Sequence, residues 1–397
     1  MASISARRRL RRLSVLTEHL AGGDASMSRQ RLSTAVRVPA GVQESDATRA
    51  LSTGGSDLEA SQREWHGTPL FDPTFEWGAR ERQEMDGAGF LVLPGLLTHA
   101  ARQRLLCALR RVDTLNEADG PARQQRIARL QKRLFEIEAF GALENGAEKQ
   151  DLKWELWEEQ RLGIRRVAAE HDALIAATIS HPQMLQLAAD ALSTPSSTIS
   201  FDHCALNIRR AGNGGQSWHT HGAAELRDHA GNPWASSTAA PSSLPTMDKL
   251  CQIAGLVRIF FYVNGTPSRD GNLKVVRGSH LFWDPNWQAD SDDDLVSHWL
   301  GGAGGGQRQL HPATGKPLRI EEVVLPAGSV VVMWTHSLHA VNPKPNESQT
   351  RWALITAYRN PYARDASGWI TRRWSRQPLL GLEMHQKEIA PWVMPPP

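Results

Sequence analysis

Trp218-His219-Thr220-His221 carries two imidazoles two residues apart. It follows a glycine-rich approach, Ala211-Gly212-Asn213-Gly214-Gly215-Gln216-Ser217. On an extended strand side chains alternate, so His219 and His221 would share a face. Two neutral imidazoles converging on one spot suit a transition metal, and imidazole serves iron, zinc and copper alike. Glycines just upstream let backbone or ligand approach closely. A chain with 15 histidines also forms such pairs by chance, so the weight of the motif rests on what accompanies it.

The elements that must position the pair are strands. Ser200–Ile208 alternates like a strand and leads into the glycine loop. Leu256–Val263 is β-rich and of strand length. Asn264-Gly265 and Asp270-Gly271-Asn272 read as turns, the second leading into Leu273–Val276. Glu321–Leu325, Ser329–Trp334 and Trp352–Tyr358 complete the set. Residues 228–248 read as a Pro/Ser/Ala-rich loop that could act as a lid, and 288–316 as an Asp- and Gly-rich insertion. Upstream, Ala88-Gly89-Phe90-Leu91-Val92-Leu93-Pro94-Gly95 reads as a short strand ended by a Pro-Gly turn, and Thr98 as the cap of a helix over Ala100–Leu115. Gln124–Leu143, Leu152–Leu174 and Pro182–Leu192 are expected as packing helices with solvated faces. Helices first, then short strands with Gly/Pro turns, predict an antiparallel two-sheet sandwich or barrel with a helical flank. The domain plan is a basic segment over 1–62 and one domain over 63–397. Within that domain roughly 80–195 is expected to be helical and 198–362 to hold the core strands.

Composition sets outer bounds. The chain has 397 residues, 22% charged and 40% hydrophobic, as in ordinary soluble globular proteins. A net charge of +3 gives no support for a nucleic-acid partner. No apolar run approaches the length of a membrane span. Cys107, Cys204 and Cys251 are odd in number and far apart, which fits free thiols in a reducing compartment. Met1–Ala40 is Arg- and Ser-rich, with Glu18 and Asp24 as its acids. That pattern fits either a mitochondrial or plastid transit peptide or a basic tail on a cytoplasmic protein. Gly41–Gln62 is polar and expected to be disordered.

Three blocks in order resemble the phytanoyl-CoA dioxygenase family of iron(II)/2-oxoglutarate oxygenases. The first is Gly89-Phe90-Leu91-Val92-Leu93-Pro94-Gly95-Leu96-Leu97. The second is Trp218-His219-Thr220-His221 with Asp270-Gly271-Asn272-Leu273-Lys274-Val275-Val276-Arg277-Gly278-Ser279-His280. The third is Pro326-Ala327-Gly328-Ser329 leading to His339 and then Arg351-Trp352-Ala353-Leu354. Together they span roughly residues 80–362. The resemblance implies a mainly β protein with a double-stranded β-helix core, cupin-like in plan. It implies Fe(2+) held by His219, His339 and a third ligand, with 2-oxoglutarate and O2 as co-substrates and hydroxylation of a small organic or lipid-like molecule. The residue chemistry agrees. A facial ligand set leaves open positions for a chelating 2-oxo acid and O2. Arg351, on a strand shortly after His339, has a fork that suits the distal carboxylate of a dicarboxylic acid. Asn207, on the strand entering the site, is a candidate polar contact to the co-substrate. Trp218, Trp234 and Trp283 are candidate walls of the substrate pocket, or else core.

One departure matters. The family motif is His-x-Asp; here it reads His219-Thr220-His221. Four outcomes are open. His221 gives a three-histidine site, the favoured reading. Glu225 swings in from one helical turn further on. The register shifts to His221-Gly222-Ala223, leaving a ligand-free position as in the related halogenases. Or the site is degenerate and binds metal weakly or not at all. Val341 also stands where the family often carries serine. His336 is three residues from His339, an odd separation that puts the two on opposite faces of a strand. His280, which closes Gly-Ser-His, is given a supporting role, and His203 and His229 are read as ordinary polar residues. Two classes of function therefore stand side by side: an oxygenase, and a non-oxidative metal-binding jelly roll.

Overall fold

In a computed structural model, the structure describes residues 64–140, 146–196, 199–220, 255–281, 289–301, 310–311 and 314–359. All of them fall within the unit Gly54–Pro397. The basic N-terminal segment, the loop over 228–248, His221, Glu225, His229, Trp234, Cys251 and Trp283 lie outside the described residues.

The chain enters through α1 (Ala79–Ala88) and β1 (Phe90–Leu93). Helix α2 (His99–Ala118) starts where its cap was expected, with Thr98 Oγ1 accepting from Ala101 N at 3.2 Å. Helices α3 (Gly120–Phe140) and α4 (Gly146–Arg161) follow as an antiparallel hairpin. Arg126 joins them, bonding both Asp119 and Glu159. The sequence predicts one helix over Leu152–Leu174, but the structure breaks it at Arg161. Gly163 there has φ of +56°, and a Cβ on it would stand 2.5 Å from Asn116 Oδ1. That same oxygen accepts from Ile164 N at 3.1 Å, so α2 dictates the break. A 3-10 turn (Gly163–Val167), α5 (Ala168–His171) and α6 (Ala173–Ile179) follow, the last capped by Asp172. Replacing Gly163 with alanine is expected to cost about 1–3 kcal/mol, read as a lower urea midpoint; an unchanged midpoint would contradict the account of the break.

Helix α7 (Pro182–Leu192) ends the helical flank as expected, with His181 as its cap and proline in its first turn. The strands are β2 (Ser200–Arg209), β3 (Gln216–His219), β4 (Leu256–Tyr262), β5 (Leu273–Val276), β6 (Ile320–Glu322), β7 (Ser329–Trp334), β8 (His339–Val341) and β9 (Arg351–Arg359). They form two antiparallel sheets, β1-β7-β4-β9-β2 and β3-β8-β5-β6. Sequence neighbours such as β7 and β8 fall in opposite sheets, so the chain winds back and forth between them as a double-stranded β-helix, or jelly roll.

Strand alternation divides the core. Val257, Ile259 and Phe261 of β4 pack with Val330, Val332, Leu354 and Tyr358 against the helical flank. Phe260 and Tyr262 face the other way and pack with Leu273, Val275 and Val341 of the second sheet. A third cluster, including Trp218, Val276, Leu295, Leu338 and Ala340, backs the smaller sheet. Part of the 288–316 insertion supplies this backing. Short helix α8 (Asp292–Leu295), capped by Ser291, continues into a π-helical turn (Val296–Leu300). The Asp run that reads as loop in the sequence thus begins a helix, where acidic side chains complement the N-terminal dipole. Among the described residues, no helix is long and apolar enough to cross a membrane.

Candidate metal and co-substrate site

His219 ends β3, and His339 opens β8 directly opposite it in the antiparallel register. Their ring centroids are 4.4 Å apart. Each ring is turned by its own chain. His219 Nδ1 donates to Ser217 O at 2.7 Å, and His339 Nδ1 donates to Ser337 O at 2.8 Å. A carbonyl can only accept, so both rings carry hydrogen on Nδ1, and in the neutral form the lone pair is on Nε2. Fixing the tautomer through the far nitrogen is how proteins prepare a histidine for a metal.

The approach to each histidine is braced. On the His339 side, Leu338 N donates to Ser279 Oγ at 2.9 Å and Ser337 Oγ donates to Gly89 O at 3.0 Å. Ser279 and His280 belong to the Gly-Ser-His motif. His280 bonds Asp86 O through Nε2 at 2.9 Å, the supporting role expected of it. On the His219 side, Gly215 lies so close to β8 that a Cβ there would stand 2.7 Å from Val341 O. The glycine-rich approach therefore lets β3 lie against β8.

Burial makes these rings hard to protonate. It lowers His219 to about 4, with the positive charge of Arg258 adding to the effect. It holds His339 well below the ordinary histidine range, helped by His219 and then Arg258. Burial also brings His280 to about 4, and pushes His336 well down. These groups are neutral in the fold but take up protons in the unfolded chain near pH 6.5. Stability should therefore be full above about pH 6.5 and fall as pH drops toward 4. For His219 and His280 the loss is on the order of 3 kcal/mol each. Urea melts of metal-free protein at pH 7.5 and 5.0 check this; equal stability at both would contradict it.

On the larger sheet, Arg351 opens β9, with the parity of Ala353, which packs between the sheets. It is buried, donates through Nη1 to Gly271 O, and through Nη2 to Asn207 Oδ1 at 2.7 Å. Its Nε has no partner, and its guanidinium lies 5.4 Å from the Tyr262 ring. Asn207 thus orients Arg351. Arg209, unremarked in the sequence, stands directly across from Arg351 in the β2–β9 register and is buried as well. Two like charges opposite one another are unfavourable. Burial lowers Arg209 to about 10, with repulsion from Arg351 adding to it, and burial lowers Arg351 too. Asp270, the acid whose charge Arg351 feels, is already bonded to Lys344 Nζ at 2.7 Å. This end of the barrel is cationic.

Trp218 occupies the face of β3 opposite His219. It is buried in the backing cluster, and its Nε1 donates to Asp292 Oδ1 at 2.8 Å. Lys274 bonds the same oxygen and lies 5.2 Å from the indole ring. His203 bonds Asp202 at 2.7 Å beside a bulge in β2. His336 sits in the turn before β8, with its ring 6.1 Å from that of His280 and 5.8 Å from that of Trp334.

The donor set fits a divalent transition metal at His219 and His339: two prepared imidazoles converge across one strand pair. Among the described residues, no group of three metal-ligating side chains is present. The candidates for a third ligand, His221 and Glu225, lie outside the described residues.

No family model matches this chain, and no curated protein matches it by sequence. Solved structures do resemble it. One is the non-heme alpha-ketoglutarate-dependent epimerase SnoN from nogalamycin biosynthesis, with 14% identity and a TM-score of 0.40, covering 71% of this chain and 82% of that one. Another is HygX from Streptomyces hygroscopicus with nickel and 2-oxoglutarate bound, with 15% identity and a TM-score of 0.41, covering 72% and 87%. The non-heme monooxygenase ThoJ has 18% identity and a TM-score of 0.38, covering 70% and 76%.

Proposed function

We propose that this chain is an iron(II)- and 2-oxoglutarate-dependent oxygenase of the phytanoyl-CoA dioxygenase type. It would use O2 to hydroxylate a small organic substrate. The observation that carries this reading is the arrangement in the interior between the two sheets. Two tautomer-fixed histidines sit toward one end, and a buried arginine, opposed by a second, sits at the other.

His219 and His339 would hold the metal, with His221 as third ligand and Glu225 as the alternative. When bound, iron supplies the redox chemistry that couples oxidative decarboxylation of 2-oxoglutarate to hydroxylation of the substrate. The chain's own residues do the rest. Ser217 and Ser337 carbonyls keep the imidazole lone pairs on Nε2. Arg351, held by Asn207 and Gly271, would take the distal carboxylate of the dicarboxylic acid, which also relieves its repulsion from Arg209. Phe260, Tyr262 and Val341 line the space between with apolar surface, which excludes water. Three neutral imidazoles would leave the metal with one more positive charge than two imidazoles and a carboxylate, strengthening it as a Lewis acid.

Substrate-independent 2-oxoglutarate turnover, read as succinate release from iron-loaded protein, tests the reading. Release above the metal-free background is expected. The missing carboxylate at position 221 favours a second reading, a metal-binding jelly roll without oxidative chemistry; metal uptake with no succinate release would select it.

A further inference from the structure

We propose that Arg258 is an anion-binding arm on the interior face of β4, and that the substrate carries a carboxylate or phosphate that it holds. This rests on the metal-site reading above and extends it to the class of substrate.

Arg258 is a guanidinium in an apolar strand, on the central strand β4 between β7 and β9. It has the same parity as Phe260 and Tyr262, which pack between the sheets, so it lies on the interior face. Its cross-strand neighbours are Met333 and Ala357, neither able to accept a hydrogen bond from it strongly. Arg258 Nε has no hydrogen-bond partner, although it is buried. The residue as a whole keeps some accessible surface, as do His219, Asn207 and Ile355 on the same lining. A guanidinium set this deep, with an idle donor and some accessible surface, is placed to bind an anion rather than to bond the protein.

The acid whose charge Arg258 feels is Asp202, which bonds His203 at 2.7 Å. A metal held by the two neutral imidazoles would add positive charge to the interior that Arg258 faces, and an anionic substrate would offset it.

The co-substrate is a poor candidate for this arm. Arg258 pairs with Ala357 and Tyr262 with Ala353, so Arg351 lies six residues further along the sheet. At strand spacing that is roughly 20 Å between the two backbones. Arg351 is moreover tied to Gly271 and Asn207 at its own end. A five-carbon dicarboxylate is well under half that length, so one molecule meets both arms only if both side chains extend toward each other, and we assign the two arms to different anions.

The test is calorimetric titration of metal-free protein with inorganic phosphate. Arg351→Gln protein removes the competing site. It should still bind phosphate, and Arg351→Gln/Arg258→Gln should bind it roughly 10- to 100-fold more weakly. Arg351→Gln/Arg258→Lys keeps a cation and controls for folding; it should recover part of the affinity. Undiminished binding by the double glutamine variant would overturn the proposal, as would loss of all phosphate binding in Arg351→Gln alone. Titration with 2-oxoglutarate separates the two readings. Arg258→Gln should bind it as wild type does, and a tenfold loss there would place Arg258 on the co-substrate and overturn the proposal. Wild-type protein that binds phosphate through Arg258 but shows no 2-oxoglutarate affinity would sink the oxygenase reading and leave the anion arm standing.

Discussion

Replacing His339 with alanine should abolish metal uptake. The ring sits in register opposite His219, 4.4 Å between centroids, with its Nε2 lone pair fixed by the bond from Nδ1 to Ser337 O. Losing only an outer partner of a ligand typically costs 10- to 100-fold in metal affinity, so losing the ligand itself should cost more than about 100-fold. Iron and zinc content after equilibration with excess metal checks this. The variant should remain folded, since a buried, neutral ring is replaced by a small apolar side chain; Ser337 O and the space vacated set a modest stability cost. His336→Ala, three residues away, is the control and should keep its metal. Equal metal content in wild type and His339→Ala would remove the histidine pair from the account.

Arg351→Gln should weaken 2-oxoglutarate binding by roughly 100-fold, the worth of one to two charged hydrogen bonds. Burial is the reason for so large an effect. A surface guanidinium would be screened, but Arg351 is enclosed beside Tyr262 and kept in place by Asn207 and Gly271. Glutamine retains a donor but not the charge. Asn207→Ala should lose less, because it frees the guanidinium without removing it. Arg209→Gln should also weaken binding, since it removes the second cation of the pair, while relieving repulsion in the empty protein. Calorimetric titration of the metal-loaded forms distinguishes these. Unchanged affinity in Arg351→Gln would show that the carboxylate anchors elsewhere.

Much of this was legible in the residues. Alternation located β2, and β-rich runs bounded by turn residues located β1, β4, β5, β7 and β9, to within a residue or two, because a strand buried on both faces reads as a continuous apolar run. Thr98 and Pro182 marked helix starts because capping chemistry is local. The break at Gly163 was not legible, since its cause, Asn116 Oδ1, lies on another helix. Helix α8 was also missed: its length is too short for periodicity, and its Asp residues look like loop until Ser291 is recognised as a cap.

The site divides the same way. His219 and His339 converge, and Arg351 and Asn207 touch each other. Trp218, a candidate pocket wall, turns to the opposite face of β3 by plain alternation with His219. Of Arg209 and Arg258, only Arg258 carries a signal in the sequence. Arg258 is the lone charge in Leu256–Tyr262, an otherwise apolar strand. Arg209 could be found only through its register with Arg351, which is tertiary information.

The most direct measurement is anaerobic titration of the protein with Fe(II), followed by 2-oxoglutarate, watching for the weak visible metal-to-ligand charge-transfer band of the chelate. The account predicts a band in wild type that is absent in His339→Ala and needs far more 2-oxoglutarate in Arg351→Gln. Iron bound at full occupancy with no band at saturating 2-oxoglutarate would contradict it.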